Sequence, residues 1–236
     1  MYTCIILCGG YGKRAKKINK FLPKALIEVK KKPFLYWILK NLEKKKIRNV
    51  ILCVGYKGNL IHEYINKNKN KFKIKINLVF EKSNNLLGTG GAIKNALKIV
   101  KDEEFIVMYG DTFLFFNMKK LYKSYLDKKK PILMTIYKNK DGRYKNNINI
   151  VKKFIYNKFD NSNFYKYIDY GIMIMKKKIF KNQPKVFDLS KLLNFNSKLN
   201  NISYFKIKKK FLEIGDLEGY KKTSSNFKLI QNEIYN

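Results

Sequence analysis

No apolar run in this sequence of 236 residues is long enough to cross a bilayer. Runs such as residues 4–8 are far shorter than the roughly 20 apolar residues that a membrane helix needs. The chain also enters a β-like run at residue 2, without a basic leader, an apolar segment of secretory length or a small-residue cleavage site. We therefore expect no membrane-spanning segment and a cytoplasmic location.

Cysteine and histidine are scarce. The three cysteines, Cys4, Cys8 and Cys53, lie within apolar strand-like runs, and their spacing matches neither a zinc site nor a redox motif. The single histidine, His62, lies near the start of a surface-like helix, with no serine or cysteine partner evident. We interpret the cysteines as small buried hydrophobes and the histidine as a solvated side chain.

Arginine is nearly absent although the chain is strongly basic. Lysine and arginine together number 52 against 17 acidic residues, for a net charge of +35, yet only Arg14, Arg48 and Arg143 are arginines. Such a balance normally suggests a nucleic acid or an acidic membrane surface. Lysine, asparagine, isoleucine, tyrosine and phenylalanine are all plentiful, however, and all have codons rich in A and T. We attribute the charge to composition and expect no specific nucleic acid; a nucleic-acid binder is the alternative.

The first half of the chain alternates strands and helices. Continuous apolar runs predict strands at residues 2–8, 49–55, 74–81 and 104–109. Helices are predicted at residues 33–46, 58–66 and 91–100. Pro33 suits the first position of its helix. This pattern indicates α/β architecture with a parallel sheet.

Beyond Asp111 the order loosens. Strands are predicted at residues 131–138, 147–156 and 167–175, with a last strand around Phe211. Residues 216–234 form a predicted closing helix with Asp216 as its cap. No internal repeat or Pro/Gly/Ser linker interrupts the chain, so we expect one domain over residues 1–236.

The strongest local motif follows the first predicted strand, where residues 9–14 read GGYGKR. Glycines in such a turn let backbone N–H groups approach phosphate oxygens and permit positive φ. The motif is not the Walker pattern, because no Gly-Lys-Ser/Thr follows, and its spacing is not the dinucleotide fingerprint G-x-G-x-x-G. Alone, it is also compatible with a tight surface turn.

Three further motifs follow in order: FLPKAL at residues 21–26, LGTGGA at 87–92 and YGD at 109–111. With GGYGKR they resemble the sugar-1-phosphate nucleotidyltransferase family, also called nucleotide-sugar pyrophosphorylases. The family's Gly-Gly-x-Gly-Thr-Arg and Pro-Lys-Pro segments are present with Lys13 for threonine and Ala25 for proline. YIDYGI at 167–172 and FLEIG at 211–215 match the later segments. The resemblance is nearest to the guanylyltransferases that act on D-glycero-D-manno-heptose 1-phosphate and mannose 1-phosphate.

The resemblance implies a Rossmann-like, three-layer α/β fold of the glycosyltransferase-A type, with a mixed, mostly parallel sheet. Residues 1–112 would form the nucleotide half and residues 113–236 the sugar half. The implied reaction joins a nucleoside triphosphate to a sugar 1-phosphate and releases pyrophosphate, with Mg²⁺ as cofactor. GTP with heptose or mannose 1-phosphate is the expected pair, in nucleotide-sugar biosynthesis for a cell-surface polysaccharide or lipopolysaccharide.

Three charged residues are expected to carry the chemistry, since two polyanions must meet and departing pyrophosphate must be neutralised. Arg14 would grip the β and γ phosphates as a bidentate fork. Lys24 would lie between the attacking and the attacked phosphate as a point charge. Asp111 follows a buried strand and Gly110, which places its carboxylate at the ligand-binding edge of an α/β sheet, where it can hold Mg²⁺.

The resemblance also implies the binding residues. For the nucleotide they are Leu7, Gly9, Gly10, Gly12, Lys13, Glu81 and Gly88. For the sugar phosphate they are Gly110, Lys158, Asp169 and Gly171, where Lys158 follows Asn157 in place of the family's glutamate. Glu213 would join Asp111 as the second metal ligand, with Asp216 as the fallback.

Two alternatives stay open within this interpretation. A cytidylyltransferase that acts on another phosphate or phosphonate shares the glycine-rich loop, and a non-catalytic subunit could keep the fold and bind nucleotide sugars. The sequence does not separate guanine from uracil, thymine or cytosine. It also leaves the oligomeric state open, a homo-oligomer being one option.

Overall fold

The structure is a computed structural model that describes residues 3–82, 85–151, 154–158, 160 and 164–236. Its strands are β1 (Thr3–Leu7), β2 (Glu28–Val29), β3 (Lys32–Pro33), β4 (Asn49–Val54), β5 (Lys75–Phe80), β6 (Glu104–Tyr109), β7 (Thr112–Phe113), β8 (Ile132–Lys138), β9 (Ile148–Ile150), β10 (Phe154–Tyr156), β11 (Tyr167–Lys176), β12 (Ile202–Ile207) and β13 (Leu212–Glu213). Its α-helices are α1 (Phe34–Lys44), α2 (Gly58–Asn68), α3 (Gly88–Ala96), α4 (Met118–Lys128), α5 (Leu189–Lys198), α6 (Leu217–Ser225) and α7 (Phe227–Tyr235). Short 3₁₀ turns span Lys13–Lys17, Lys24–Leu26, Lys69–Lys71 and Lys177–Phe180.

One large mixed sheet organises the molecule, with the order β10-β9-β11-β6-β1-β4-β5. β8 pairs with both β11 and β12 beside this path. The strands β6, β1, β4 and β5 run parallel to one another, and β12 runs parallel to β8. The antiparallel pairings involve β11, which borders β6, β8 and β9, and the β9–β10 hairpin.

The sheet is covered on both faces, as the continuous apolar strands predict. Alternate residues of β1 point to opposite sides, so Cys4 and Ile6 join one hydrophobic cluster and Ile5 joins the other. Helices α1, α2, α4 and α7 pack on the first face, and α3 and α5 pack on the second. The expectation of a three-layer α/β fold is therefore confirmed.

Most predicted elements are present, with boundaries shifted by a residue or two. The strand predicted at 2–8 is β1, although Tyr2 lies outside the described residues. Pro33 was predicted to be the first helical residue, but it is the cap before the helix. Its ψ of 143° is extended, and it lies in β3, where it pairs with Glu28 of β2.

Three other boundaries were predicted wrongly. The helix predicted at 91–100 runs from Gly88 to Ala96, because a backbone carbonyl from elsewhere in the chain caps its first turn. The strand predicted at 147–156 is the β9–β10 hairpin, whose Lys152 and Lys153 lie outside the described residues. The closing helix is split at Asn226, where the backbone leaves helical geometry at ψ 20° and the Lys222 carbonyl accepts both the backbone N–H and the side-chain amide of Asn226.

The predicted cap of that closing segment is confirmed, because Asp216 Oδ1 accepts the Gly219 N–H at 2.9 Å. Across the described ranges, no helix combines the length and apolar character needed to cross a membrane.

Candidate active site

A cleft of about 260 Å³ opens beyond the carboxyl ends of β1 and β6. The two strands are parallel neighbours, so the loops that follow them meet at one edge of the sheet. The cleft is lined by eight of the predicted site residues: Leu7, Gly9, Gly10, Lys24, Glu81, Gly88, Gly110 and Asp111.

The glycine-rich turn packs tightly against its neighbours at Gly9 and makes ordinary contact at Gly12. A β-carbon on Gly9 would lie 3.0 Å from Glu81 Oε1 and 3.2 Å from the Gly55 nitrogen, which leaves little room for a side chain. Gly12 has φ +59°, and a β-carbon there would lie 3.6 Å from the Lys24 side chain. Gly10, by contrast, faces open space. The turn therefore places its backbone beside both Glu81 and Lys24.

Lys24 and Asp111 form an ion pair inside the cleft. The Lys24 ammonium lies 2.8 Å from Asp111 Oδ2, and the Thr112 hydroxyl donates to Asp111 Oδ1 at 3.0 Å. Burial opposes ionisation of Asp111, but the charge and hydrogen bond of Lys24 and the Thr112 bond outweigh it, so the pKa of Asp111 lies below its usual value. Asp111 is thus a carboxylate at neutral pH.

Lys13 and Arg14 do not line the cleft. Both belong to the exposed 3₁₀ turn Lys13–Lys17. The turn contacts α6. The pKa of Asp216 is lowered first by the Gly219 N–H and also by the charges of Arg143 and Arg14. Arg14 therefore lies on the side of the cleft where α6 begins.

Glu213 is held beside Asp111 by the small β7–β13 ladder. Glu213 pairs with Thr112 in that ladder, and the Ile214 N–H donates to the Asp111 carbonyl at 3.0 Å. A β-carbon on Gly215 would lie 2.6 Å from Glu213 Oε2 and 3.8 Å from Asp111 Oδ2, so both carboxylates face one point. Carboxylate oxygens are the ligands that a hard divalent cation prefers.

The Glu213 carboxylate is also fixed by neighbours of its own. Oε1 accepts from Arg143 at 2.8 Å and from the Tyr144 hydroxyl at 3.2 Å, and Oε2 accepts from the Gly215 N–H. Burial raises the pKa of Glu213 despite these bonds. The three donors occupy three of the roughly four lone-pair sites of a carboxylate, which leaves one on the Oε2 side. No group of three or more His, Cys, Asp or Glu side chains that could hold a metal occurs in the described part of the chain.

Arg143 joins this acidic segment to the loop between β8 and β9. Besides Glu213, its guanidinium contacts Asp216 at 2.8 Å and Glu218 at 2.7 Å, and only 9% of its side chain is exposed. None of the sequence motifs assigns a role to Arg143, which is one of only three arginines. The rarity of arginine in so lysine-rich a chain is the signal that could have identified it, because a planar guanidinium binds several carboxylates better than an ammonium does.

Two of the predicted sugar-side residues, Asp169 and Gly171, lie next to the cleft, across Tyr109. The Tyr109 hydroxyl donates to Asp169 Oδ2 at 2.9 Å, and the Gly171 N–H donates to Asp169 Oδ1 at 2.8 Å. Gly171 has φ +106°, within a register shift of β11, and a β-carbon there would lie 3.2 Å from the Tyr109 ring. Burial raises the pKa of Asp169 to about 6, against the opposing effects of these bonds and the charge of exposed Lys158.

Among the cleft-lining residues that the sequence did not predict, three carry titratable side chains: Cys8, Tyr109 and Asp188. Burial, and then the charge of Asp111, raise the pKa of the Cys8 thiol to about 12 although Lys24 lowers it, so Cys8 is not a nucleophile at neutral pH. Tyr109 belongs to the YGD motif, but its bond to Asp169 spans 60 positions and leaves no local pattern.

Comparisons with known proteins agree with this geometry. A family model described as nucleotidyl transferase matches residues 3–147. The chain is 38% identical over 226 residues to a D-glycero-alpha-D-manno-heptose 1-phosphate guanylyltransferase of Campylobacter jejuni, a match that covers 92% of this chain and 96% of that protein. A protein of the same name from Aneurinibacillus thermoaerophilus is 33% identical over 132 residues, or 56% of each chain.

A solved structure supports the same relationship. HddC from Yersinia pseudotuberculosis, crystallised in complex with GMP-PN, shares 32% sequence identity with this chain. The TM-score is 0.82, and the match covers 96% of this chain and all of that one. The fold and the enzyme class expected from the sequence are confirmed: the chain belongs to the nucleotidyl transferase family.

Proposed function

We propose that this protein transfers a guanylyl group from GTP to a sugar 1-phosphate, giving a GDP-sugar and pyrophosphate for the synthesis of a cell-surface glycan. The observation that carries the proposal is the Lys24–Asp111 ion pair in a cleft edged by the glycine-rich turn. Heptose 1-phosphate and mannose 1-phosphate are the sugar phosphates we favour. The 38% identity to a heptose 1-phosphate guanylyltransferase over 92% of the chain supports that choice.

In the proposed reaction, an oxygen of the sugar phosphate attacks the α-phosphorus of GTP while the bond to the β-phosphate oxygen breaks. Lys24 lines the cleft, where its ammonium can neutralise the two phosphates as they approach. The backbone of Gly9 and Gly10 lines the same cavity and offers N–H groups to phosphate oxygens. We assign Arg14 to the β and γ phosphates, with Gly12 and Lys13 beside it.

Glu81 is the residue we assign to the base. Its Oε2 accepts the Leu87 N–H at 2.7 Å, which holds the carboxylate on the cleft wall between Gly9 and Gly88. A carboxylate only accepts hydrogen bonds, and guanine presents two adjacent donors, N1–H and the N2 amino group, on one edge. Uracil and thymine offer a single ring N–H there, and cytosine and adenine offer an acceptor nitrogen. The cleft is thus matched to guanine better than to the other bases.

Asp111 and Glu213 are the residues that would hold Mg²⁺, since their oxygens converge and each keeps acceptor capacity. When bound, the ion would neutralise phosphate charge. Arg143, Tyr144 and the Gly215 N–H orient Glu213, and Thr112 orients Asp111.

We assign residues 1–112 to the nucleotide and residues 113–236 to the sugar. Gly110, Asp169 and Gly171 would border the sugar 1-phosphate beyond Tyr109. The ammonium of exposed Lys158 acts on Asp169, so we assign it to the phosphate of the sugar.

A substrate panel tests the proposal. The purified protein is incubated with Mg²⁺, each of GTP, UTP, CTP, dTTP and ATP, and a set of sugar 1-phosphates, and pyrophosphate is measured. We expect release with GTP and heptose or mannose 1-phosphate, and none from the Asp111→Asn variant. Turnover of CTP with a non-sugar phosphate or phosphonate would instead identify a cytidylyltransferase. Nucleotide-sugar binding with no turnover in any combination would identify a non-catalytic subunit.

A further inference from the structure

Asp188 lines the active-site cleft but has no part in the roles assigned above. It occupies the cap position before α5, yet its carboxylate makes no capping hydrogen bond to that helix. An aspartate at this position normally accepts an N–H of the first helical turn. Its acceptor oxygens therefore face the cleft and solvent instead of the helix.

The chain around Asp188 is fixed to the start of α3. The Phe187 carbonyl accepts the N–H groups of Gly90 and Gly91 at 3.0 and 3.1 Å, and the Phe187 N–H donates to the Leu87 carbonyl at 2.9 Å. The Leu189 N–H donates to the Thr89 hydroxyl at 2.9 Å. Hydrogen bonds on both sides of Asp188 thus hold its backbone at the cleft wall, as a specificity residue requires.

Tyr156 is close enough to this carboxylate and to Asp169 for both charges to act on it. Only 4% of Tyr156 is exposed. Burial raises the pKa of Tyr156, and the charges of Asp169 and then Asp188 raise it further, so both carboxylates act on the same hydroxyl. A hydroxyl beside two carboxylates can donate a hydrogen bond to either of them or to a bound ligand.

Asp169, Asp188 and Tyr156 form one region rich in hydrogen-bond acceptors on the sugar side of Tyr109. Asp169 accepts a hydrogen bond from Tyr109, a residue that lines the cleft, and Asp188 lines the cleft directly. Two carboxylates accept hydrogen bonds from sugar hydroxyl groups, and the Tyr156 hydroxyl both donates and accepts. A carboxylate on the sugar would meet like charge there and would leave the acceptors unpaired.

We propose that Asp188 and Tyr156 determine sugar specificity: with Asp169 they bind the hydroxyl groups of a neutral, polyhydroxylated sugar 1-phosphate and exclude a uronic acid 1-phosphate. This inference rests on the proposed function, because it assigns the sugar subsite of the same reaction. It adds two residues to the sugar side that the motifs did not indicate.

The test is steady-state kinetics on Asp188→Asn and Tyr156→Phe with GTP, Mg²⁺ and the best neutral sugar 1-phosphate. We expect the KM for the sugar phosphate to rise about tenfold in each, as for loss of a substrate hydrogen bond, while the KM for GTP stays within about twofold. Asp188→Asn should also lower the ratio of kcat/KM for the neutral sugar 1-phosphate to kcat/KM for a uronic acid 1-phosphate by about tenfold. Asp127→Asn, which removes an exposed carboxylate on α4, is the matched control and should change none of these values.

Asparagine is also a favourable cap residue, so we expect Asp188→Asn to fold like the wild type. Its kinetics therefore test the inference even if Tyr156→Phe folds poorly. The inference would be overturned if Asp188→Asn changed neither the KM for the sugar phosphate nor the preference for the neutral sugar over the uronic acid. An equal rise in both KM values would overturn it too, because it would indicate general damage to the cleft. Failure of the proposed function looks different, since the wild-type protein would then release no pyrophosphate with any substrate pair.

Discussion

The Lys24 ammonium lies 2.8 Å from the Asp111 carboxylate although the two residues are 87 positions apart. They meet because β1 and β6 are parallel neighbours, which brings the loops after both strands to the same edge of the sheet. Each charge has the sign needed by one component of the proposed reaction: the cation suits phosphate, and the carboxylate suits a divalent metal.

Lys24→Gln should lower kcat by about two to three orders of magnitude, as for other groups that stabilise transition-state charge. The KM for GTP should change much less, because the glycine-rich turn and the base contacts remain. Pyrophosphate release under saturating substrates measures the effect. Lys123→Gln, an exposed lysine on α4, is the control and should retain full activity.

The double variant Lys24→Gln/Asp111→Asn extends this test. Groups that act on one transition state are not additive, so we expect the double variant to lose little more activity than the worse single variant. Fully multiplicative losses would show that the two residues act independently, against the shared role proposed for them.

The glycines of the LGTGGA motif make a prediction about stability. A β-carbon on Gly90 would lie 2.2 Å from the Phe187 ring, so Gly90→Ala must displace that ring or α3. Overpacking of this kind costs about 1–3 kcal/mol, more than alanine recovers in helix propensity. Urea unfolding measures the loss. Gly10→Ala, whose β-carbon meets nothing within 4 Å, should leave stability unchanged. Equal stability of Gly90→Ala and wild type would mean that Phe187 moves aside freely.

The sequence predicts the cleft well because its charged residues follow contiguous motifs at the ends of strands. Lys24 follows Pro23 after the glycine-rich turn, and Asp111 follows β6, whose predicted boundaries agree with the structure. In a parallel sheet these positions share an edge, so the order of motifs is enough to bring them together.

The sequence predicts poorly what depends on long-range backbone contacts. α3 begins three residues before its predicted start because the Phe187 carbonyl, almost 100 positions away, caps it. Every residue type has the same main-chain carbonyl, so a contact made by that group leaves no pattern in the sequence. For the same reason Gly90 and Gly91, which belong to a motif associated with the nucleotide, are needed in part to let residues 185–187 approach.

Arg143 should be important for stability as well as for the site. Its guanidinium is nearly buried against Glu213, Asp216 and Glu218. Arg143→Ala would leave Glu213 buried without its cation and near two other carboxylates, a situation that costs about 3–5 kcal/mol. Arg143→Lys should recover part of this loss, since one ammonium cannot match the planar fork. Denaturant unfolding checks both values.

Arg48→Ala is the matched control for Arg143, because it removes an exposed guanidinium and should change the free energy of unfolding by less than about 0.5 kcal/mol. Similar effects from both arginine variants would argue that the contacts of Arg143 contribute no more than surface charge.

Asp169 should make stability depend on pH in a direction opposite to that of most carboxylates. Burial raises its pKa to about 6 in the folded protein, above the value of about 3.9 in an unfolded chain. Between these two values the folded state holds a proton that the unfolded state has lost, so the contribution of Asp169 to stability is fully present below about pH 4 and falls as pH rises to about 6.

Asp169→Asn removes this dependence but keeps a side chain of the same shape. The free energy of unfolding of wild type minus that of the variant, measured in urea at about pH 4.5 and about pH 7, should therefore be smaller at the higher pH. In the variant, the mismatch of the new amide with the Tyr109 hydroxyl or the Gly171 N–H adds a cost that is the same at both pH values. A difference that stays constant or grows with pH would show that Asp169 is ionised throughout this range in the folded protein.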